Sequence, residues 1–210
     1  MGIQESNKLN QEVFKNIMIT SQENMIIKSL EKFYEDDVNI NLFIPIINSE
    51  SRISIRLIDH FVTKYSKNNK IAFKIKEGEV EQNFNVHTSY KQQLKAFQKR
   101  HFDPFSRGDR IPYFMGESCV ITTIGQLNFF KWFISKKIYD YIKINQDFIE
   151  NDMNKRNKID NKKVKKEKRV KKIIKSNPIS INNSSYYSNY KPVTFSEPKT
   201  DKIIVSFTFN

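Results

Sequence analysis

Cysteine is nearly missing: Cys119 stands alone among 210 residues. One thiol closes no disulfide within the chain and anchors no Cys-based metal site, and such usage fits a reducing compartment. Glycine is also scarce, at 5 residues. Phosphate-cradling loops are built from glycine, and the chain has no Walker loop, no G-x-G-x-x-G, no H-E-x-x-H and no G-x-S-x-G. No apolar run approaches the ~20 residues that span a bilayer. The first residues lack the basic and apolar regions of a signal peptide, so the Asn-x-Ser sequons at Asn182 and Asn183 read as chance. His60, His87 and His101 have no ligand spacing, with or without Asp59 or Asp103. A Cys119–His101 nucleophile pair is no better supported, because Cys119 reads as part of a buried Val-Ile-Thr strand, where a thiol is inert. No catalytic residue, metal or cofactor is expected.

What is abundant is positive charge, and it is segregated. The formal net charge is +13. Residues 153–175 carry 12 Lys or Arg against Asp160 and Glu167. Residues 176–210 carry 3 Lys against Glu197 and Asp201, which leaves 21 cations and 19 acids in residues 1–152. The expected folded part is therefore almost neutral, and the basic character belongs to one stretch.

The pattern predicts four parts. Residues 1–20 are polar and read as a flexible N-terminus. Residues 21–152 read as a globular α+β domain with about four helices and a small antiparallel sheet. Ser21 offers a cap for a first helix with Ile26, Ile27, Leu30 and Phe33 on one face. Asn39 to Ile47, interrupted by Pro45, reads as a strand or an edge strand. Ser54 caps a helix from Ile55 to Lys67, with Ile55, Leu57, Ile58, Phe61, Val62 and Tyr65 inward and Arg56, Asp59, His60, Thr63 and Lys64 outward. Ile71–Lys76 and Val80–His87 read as a hairpin around Gly78. Ser89 starts a helix that Phe102-Asp103-Pro104-Phe105 breaks, and Ile111–Phe114 and Cys119–Thr122 pair around Gly116. Thr123-x-x-Gln126 has the form of a capping box opening the strongest helix, which is apolar on nearly all sides and runs to about Ile149. Residues 153–200 read as a disordered linker, basic and then rich in Asn, Ser and Tyr. Residues 201–210 alternate as a half-buried strand.

Two constellations carry functional weight. Lys91, Lys95, Lys99, Arg100, Arg107 and Arg110 face only Asp103 and Asp109, with Tyr90, Phe97, Phe102 and Phe105 interleaved; Lys91, Lys95 and Lys99 form one column, and Arg56, His60 and Lys64 another. Lys and Arg neutralise phosphates and aromatics stack on bases, although a solvated helix face over an aromatic core has the same pattern. The basic run adds Lys162, Lys163, Lys165, Lys166, Lys168, Arg169, Lys171 and Lys172, a composition that grips polyanions without reading sequence. Phe129, Trp132 and Phe133, on the far side of the strongest helix, and Ile203, Val205 and Phe207 in the terminal strand are candidates for docking on another protein. A membrane is not the expected partner. Met1-Gly2-Ile3-Gln4-Glu5-Ser6 fits the loose myristoylation pattern, but a single acyl chain binds membranes weakly.

Ser54–Lys67 (SIRLIDHFVTKYSK), Phe84–Ile111 (FNVHTSYKQQLKAFQKRHFDPFSRGDRI) and Thr122–Phe133 (TTIGQLNFFKWF) together resemble a family of uncharacterised proteins of nucleocytoplasmic large DNA viruses, mimivirus-like and algal-virus members among them. The resemblance covers about residues 40–142. Two positions depart from it: Trp is usual where His60 stands, and a Cys followed by basic residues is usual at Ser106-Arg107-Gly108. The resemblance implies a virus-encoded protein working in the host cytoplasm, at the viral factory, or in the nucleus, with the virion as a further location. It implies no activity. The expectation is a non-enzymatic protein that binds DNA or RNA through phosphates. The alternative is a virion structural or adaptor protein. A deep pocket uniting His101, Asp103, Arg107 and Arg110, with a shifted His pKa, would favour an enzyme instead.

Overall fold

A computed structural model describes residues 3–77 and 79–176, with backbone alone at 3, 77, 161 and 163–176. The chain divides into two units, Met1–Lys163 and Val164–Asn210. The helices are α1 (Ile3–Lys15), α2 (Ser21–Phe33), α3 (Asp37–Ile47), α4, α5 (Val86–His101), α6 (Ile124–Ser135), α7 (Ile138–Ile144) and α8 (Gln146–Ser176). The run α4 comprises Ile55–His60, a π-helical Phe61–Tyr65 and Ser66–Asn68. Two antiparallel hairpins stand apart from each other: β1 (Ala72–Glu77) with β2 (Val80–Asn85), and β3 (Ile111–Met115) with β4 (Ser118–Thr122). The α+β class holds. The described residues carry eight helices rather than four, and two small sheets rather than one.

The core of the first unit is organised around α6. Thr123 caps it by accepting a hydrogen bond from the Gln126 backbone N–H at 3.1 Å. The box is half formed, because the Gln126 side chain turns to the Thr122 hydroxyl and to the Pro104 carbonyl instead. Phe130 meets Phe43 of α3 at 5.2 Å between ring centroids, while Phe129 and Trp132 meet Phe102 at 5.2 and 5.5 Å. Aromatic pairs of this kind add ~0.5–1.5 kcal/mol each beyond the area they bury. Gly125 is where the end of α5 crosses α6: a Cβ there would lie 2.7 Å from the Arg100 carbonyl oxygen.

Several expectations are corrected. Residues 3–15 are helical rather than loose. Ser6, Asn10 and Phe14 recur every four residues and are buried. The Asn10 side chain donates to the Phe114 carbonyl at 2.9 Å and accepts from the Phe114 N–H at 2.8 Å, so it pairs with the β3 edge as a strand would. Buried polar side chains give no apolar stripe, which is why the sequence read as loose. Residues 39–47 form α3 rather than a strand. Asp36 caps the Val38 N–H, and Ile40, Phe43 and Ile46 are buried at a helical spacing. Pro45 falls in the last turn, where only one helical bond is lost to its missing N–H.

The strongest helix stops at Ser135, because Lys137 takes a left-handed conformation (φ 53°) and a new helix begins. Residues 153–176 are helical rather than disordered. Asp152, Ile149 and Met153 explain the start: Ile149 is buried, Met153 packs on the core and Asp152 takes the Arg156 guanidinium at 2.6 Å and His60 Nε2 at 2.9 Å. The expected linker over 177–200 and strand over 201–210 lie outside the described residues.

Candidate polyanion-binding surface

Asn85, not Ser89, caps α5, its side chain accepting from the Thr88 N–H at 2.9 Å. Tyr90 and His101 are buried, and Lys91, Lys95, Lys99 and Arg100 are exposed, as the periodicity predicts. The column is not continuous, however. Gln98 has φ 57° and ψ 173°, outside the helical range, so the helix kinks and Lys99 leaves the line of Lys91 and Lys95. Among the described residues, no carboxylate pairs with Lys91, Lys95 or Lys99.

The cations after the kink are tethered. Glu23 of α2, buried, accepts from His101 Nε2 at 3.0 Å and lies 3.6 Å from the Arg100 guanidinium. Burial works to raise the Glu23 pKa, but hydrogen bonds from the Thr20 backbone and hydroxyl and from His101 hold it down to about 2. Glu23 was missed in the sequence, although T-x-x-E at Thr20–Glu23 is a capping-box pattern; the box is complete, and the cap is Thr20 rather than Ser21. Arg107 forks onto the buried Asp103 at 2.6 and 2.8 Å and lies over the Phe105 ring at 5.2 Å. Its hydrogen bonds to the Asp103 carboxylate push the Arg107 pKa up. Burial, then the neighbouring Asp59 and Asp103, raises the Tyr90 pKa to about 12. Burial, then Asp103, raises that of Asp59.

Arg100, His101, Arg107 and the first residues of α6 line a cavity of about 220 Å³. Asp103 and Arg110 are not among the residues that line it. Arg110 and Arg56 are exposed. Lys64 lies 3.9 Å from Asp160. His60, expected outward beside them, is buried on Asp152, so the Arg56–His60–Lys64 column is broken too. The three histidines are committed to separate partners: Asp152, the Val62 carbonyl and Glu23. Cys119, expected in a buried strand, is exposed on β4. Lys162 is exposed on α8. Lys163, Lys165, Lys166, Lys168, Arg169, Lys171 and Lys172 lie along the α8 backbone.

The proposed docking face is overturned. Phe129 and Phe133 are 0 % exposed and Trp132 6 %, because α6 is surrounded on both sides. Ile203, Val205 and Phe207 lie outside the described residues.

No solved structure matches the chain. The sequence itself places the chain: it belongs to the family of unknown function DUF7197, whose pattern it matches over residues 4–208. Over 145 residues it is 40 % identical to "Uncharacterized protein L507" of Acanthamoeba polyphaga mimivirus. That match covers 66 % of this chain and 56 % of the mimivirus protein, so the chain spans little more than half of that relative. The resemblance to an uncharacterised family of large DNA viruses therefore holds.

Proposed function

We propose that this protein binds DNA or RNA through phosphates, without reading sequence and without catalysing a reaction, in the cytoplasm or nucleus of an infected host cell. The observation that carries the reading is that Lys91, Lys95 and Lys99 present charge outward with no carboxylate partner among the described residues. The basic stretch supports it. Residues 153–175 hold 12 cations on a helical backbone, or one per about 3 Å of axis at 1.5 Å per residue. Duplex DNA offers one phosphate per ~1.7 Å. Positive charge at this density displaces counterions along a phosphate backbone, which requires no base contact. Arg100 and Arg107 contribute less, because each already faces a carboxylate.

The test is the anisotropy of a labelled 20-base-pair duplex titrated at several salt concentrations. Affinity is expected to fall steeply with salt, with a log–log slope of about −0.9 per phosphate engaged. Replacing Lys162, Lys163, Lys165 and Lys166 together by Gln is expected to flatten the slope by roughly 3.6. An affinity that barely changes between about 50 and 200 mM salt overturns the reading. The adaptor alternative has lost its aromatic face and retains only the terminal segment, outside the described residues.

A further inference from the structure

Three helices leave a groove that none of the described residues of the first unit fills. Its two long walls are helical faces at a regular spacing: Gln22, Met25, Ile26 and Ser29 on α2, and Asn128, Lys131, Trp132 and Ser135 on α6, with Gln93 and Phe97 of α5 and Lys136 beside them. The groove encloses about 530 Å³, within the ~300–1,000 Å³ usual for small-molecule sites. Met25 stands at its edge, 75 % exposed. Trp132 turns its N–H away to the Ser89 hydroxyl at 3.1 Å, which fixes the indole ring as a wall.

One charge in this wall is out of place. Lys131 is half-buried in a mostly apolar lining, and among the described residues no carboxylate pairs with its ammonium. Burial lowers its pKa. A half-buried ammonium is stabilised by an anion brought beside it, and the apolar walls favour an aliphatic body.

We propose that this groove binds a single-chain amphiphile with an anionic head, such as a fatty carboxylate, its chain lying along Met25, Ile26, Phe97 and Trp132 and its head at Lys131. A partner protein is a poorer fit. A stable interface buries ~800 Å² on each side, and these few apolar side chains cannot supply it.

The chain's single Trp is the groove wall, so it reports occupancy directly. The full-length protein is titrated with sodium dodecanoate below its micelle concentration, with Trp fluorescence as the readout. Dodecanol and dodecyltrimethylammonium serve as neutral and cationic heads on the same chain. A saturable change is expected for dodecanoate, at least tenfold tighter than for either control. Lys131→Met keeps the aliphatic stem and removes the charge; it is expected to abolish the preference over dodecanol while dodecanol still binds. Met25→Glu, at an exposed position, is expected to weaken dodecanoate at least tenfold with the thermal midpoint unchanged. No saturable change, equal affinity for the anionic and cationic amphiphiles, or a Lys131→Met protein that keeps the preference overturns the proposal. Self-association of the free protein that Met25→Glu abolishes, with no dodecanoate binding, also overturns it and assigns the groove to a second copy of the chain.

Discussion

Along the outer face of α5, the ammonium groups of Lys91 and Lys95 stand in water with no partner among the described residues. Past the kink at Gln98, Arg100 faces the buried Glu23 and Arg107 forks onto the buried Asp103. One short stretch therefore holds two kinds of cation. The first kind costs the fold little to change and is available to a polyanion. The second closes buried carboxylates, whose unpaired charge would be expensive. Composition treats them alike; only the acid across the gap separates them.

The comparison can be broken at several points. The largest effect is expected at the crossing that positions the tethered set. Gly125→Ala drives a methyl group into the Arg100 carbonyl, and the backbone there has no rotamer to swing aside. A loss of about 3 kcal/mol is expected in urea denaturation. Glu23→Gln comes next, at about 2 kcal/mol near neutral pH, for lost charge-assisted hydrogen bonds. Its pH dependence has a definite sign. The folded pKa, about 2, lies below the ordinary 4.5. The contribution is thus fully present above pH ~4.5 and is lost as pH falls towards ~2. Wild type and Glu23→Gln should converge over that interval, and a gap that stays constant with pH would show that the carboxylate charge is not what matters.

Arg107→Gln leaves Asp103 buried without its fork and is expected to cost about 1 kcal/mol. Because that guanidinium is already engaged, the salt slope of DNA binding should change by less than about 0.5. Replacing Lys91, Lys95 and Lys99 together by Gln should do the reverse. Stability should stay within about 0.5 kcal/mol, while the salt slope should flatten by nearly 3. If both variants alter stability and slope alike, the division between tethered and available cations is wrong.

Much of the first unit was legible in the sequence where local rules are strict. Ser54 accepts from the Leu57 N–H as its cap position predicts. Both hairpins pair as the alternation implies, and Gly116 takes the positive φ that its turn requires. The errors have a common cause: local signals do not report what packs from afar. Ser6 and Asn10 look like solvent residues until β3 arrives. His60 sits on the polar half of its wheel, yet Asp152 reaches it from 92 residues away. Lys91, Lys95, Lys99, Arg100, Arg107 and Arg110 are exposed as their pattern predicts, but which of them were engaged could not be read, because Glu23 lies 78 residues from His101.

By itself the sequence determined the class of fold, the caps at Ser54 and Thr123, the Gly116 turn, the membership of a large-virus family and the concentration of charge in residues 153–175, whereas the caps expected at Ser21 and Ser89 fall instead on Thr20 and Asn85. These follow from backbone preferences, hydrophobic period and composition, which act over a few residues. The tertiary structure alone decided that α6 is enclosed on both sides, that Pro45 sits in the last turn of a helix, that Arg100 and Arg107 serve buried acids and that Lys131 faces an apolar groove. Each of these depends on which element lies opposite, and burial and pairing are properties of two surfaces rather than one.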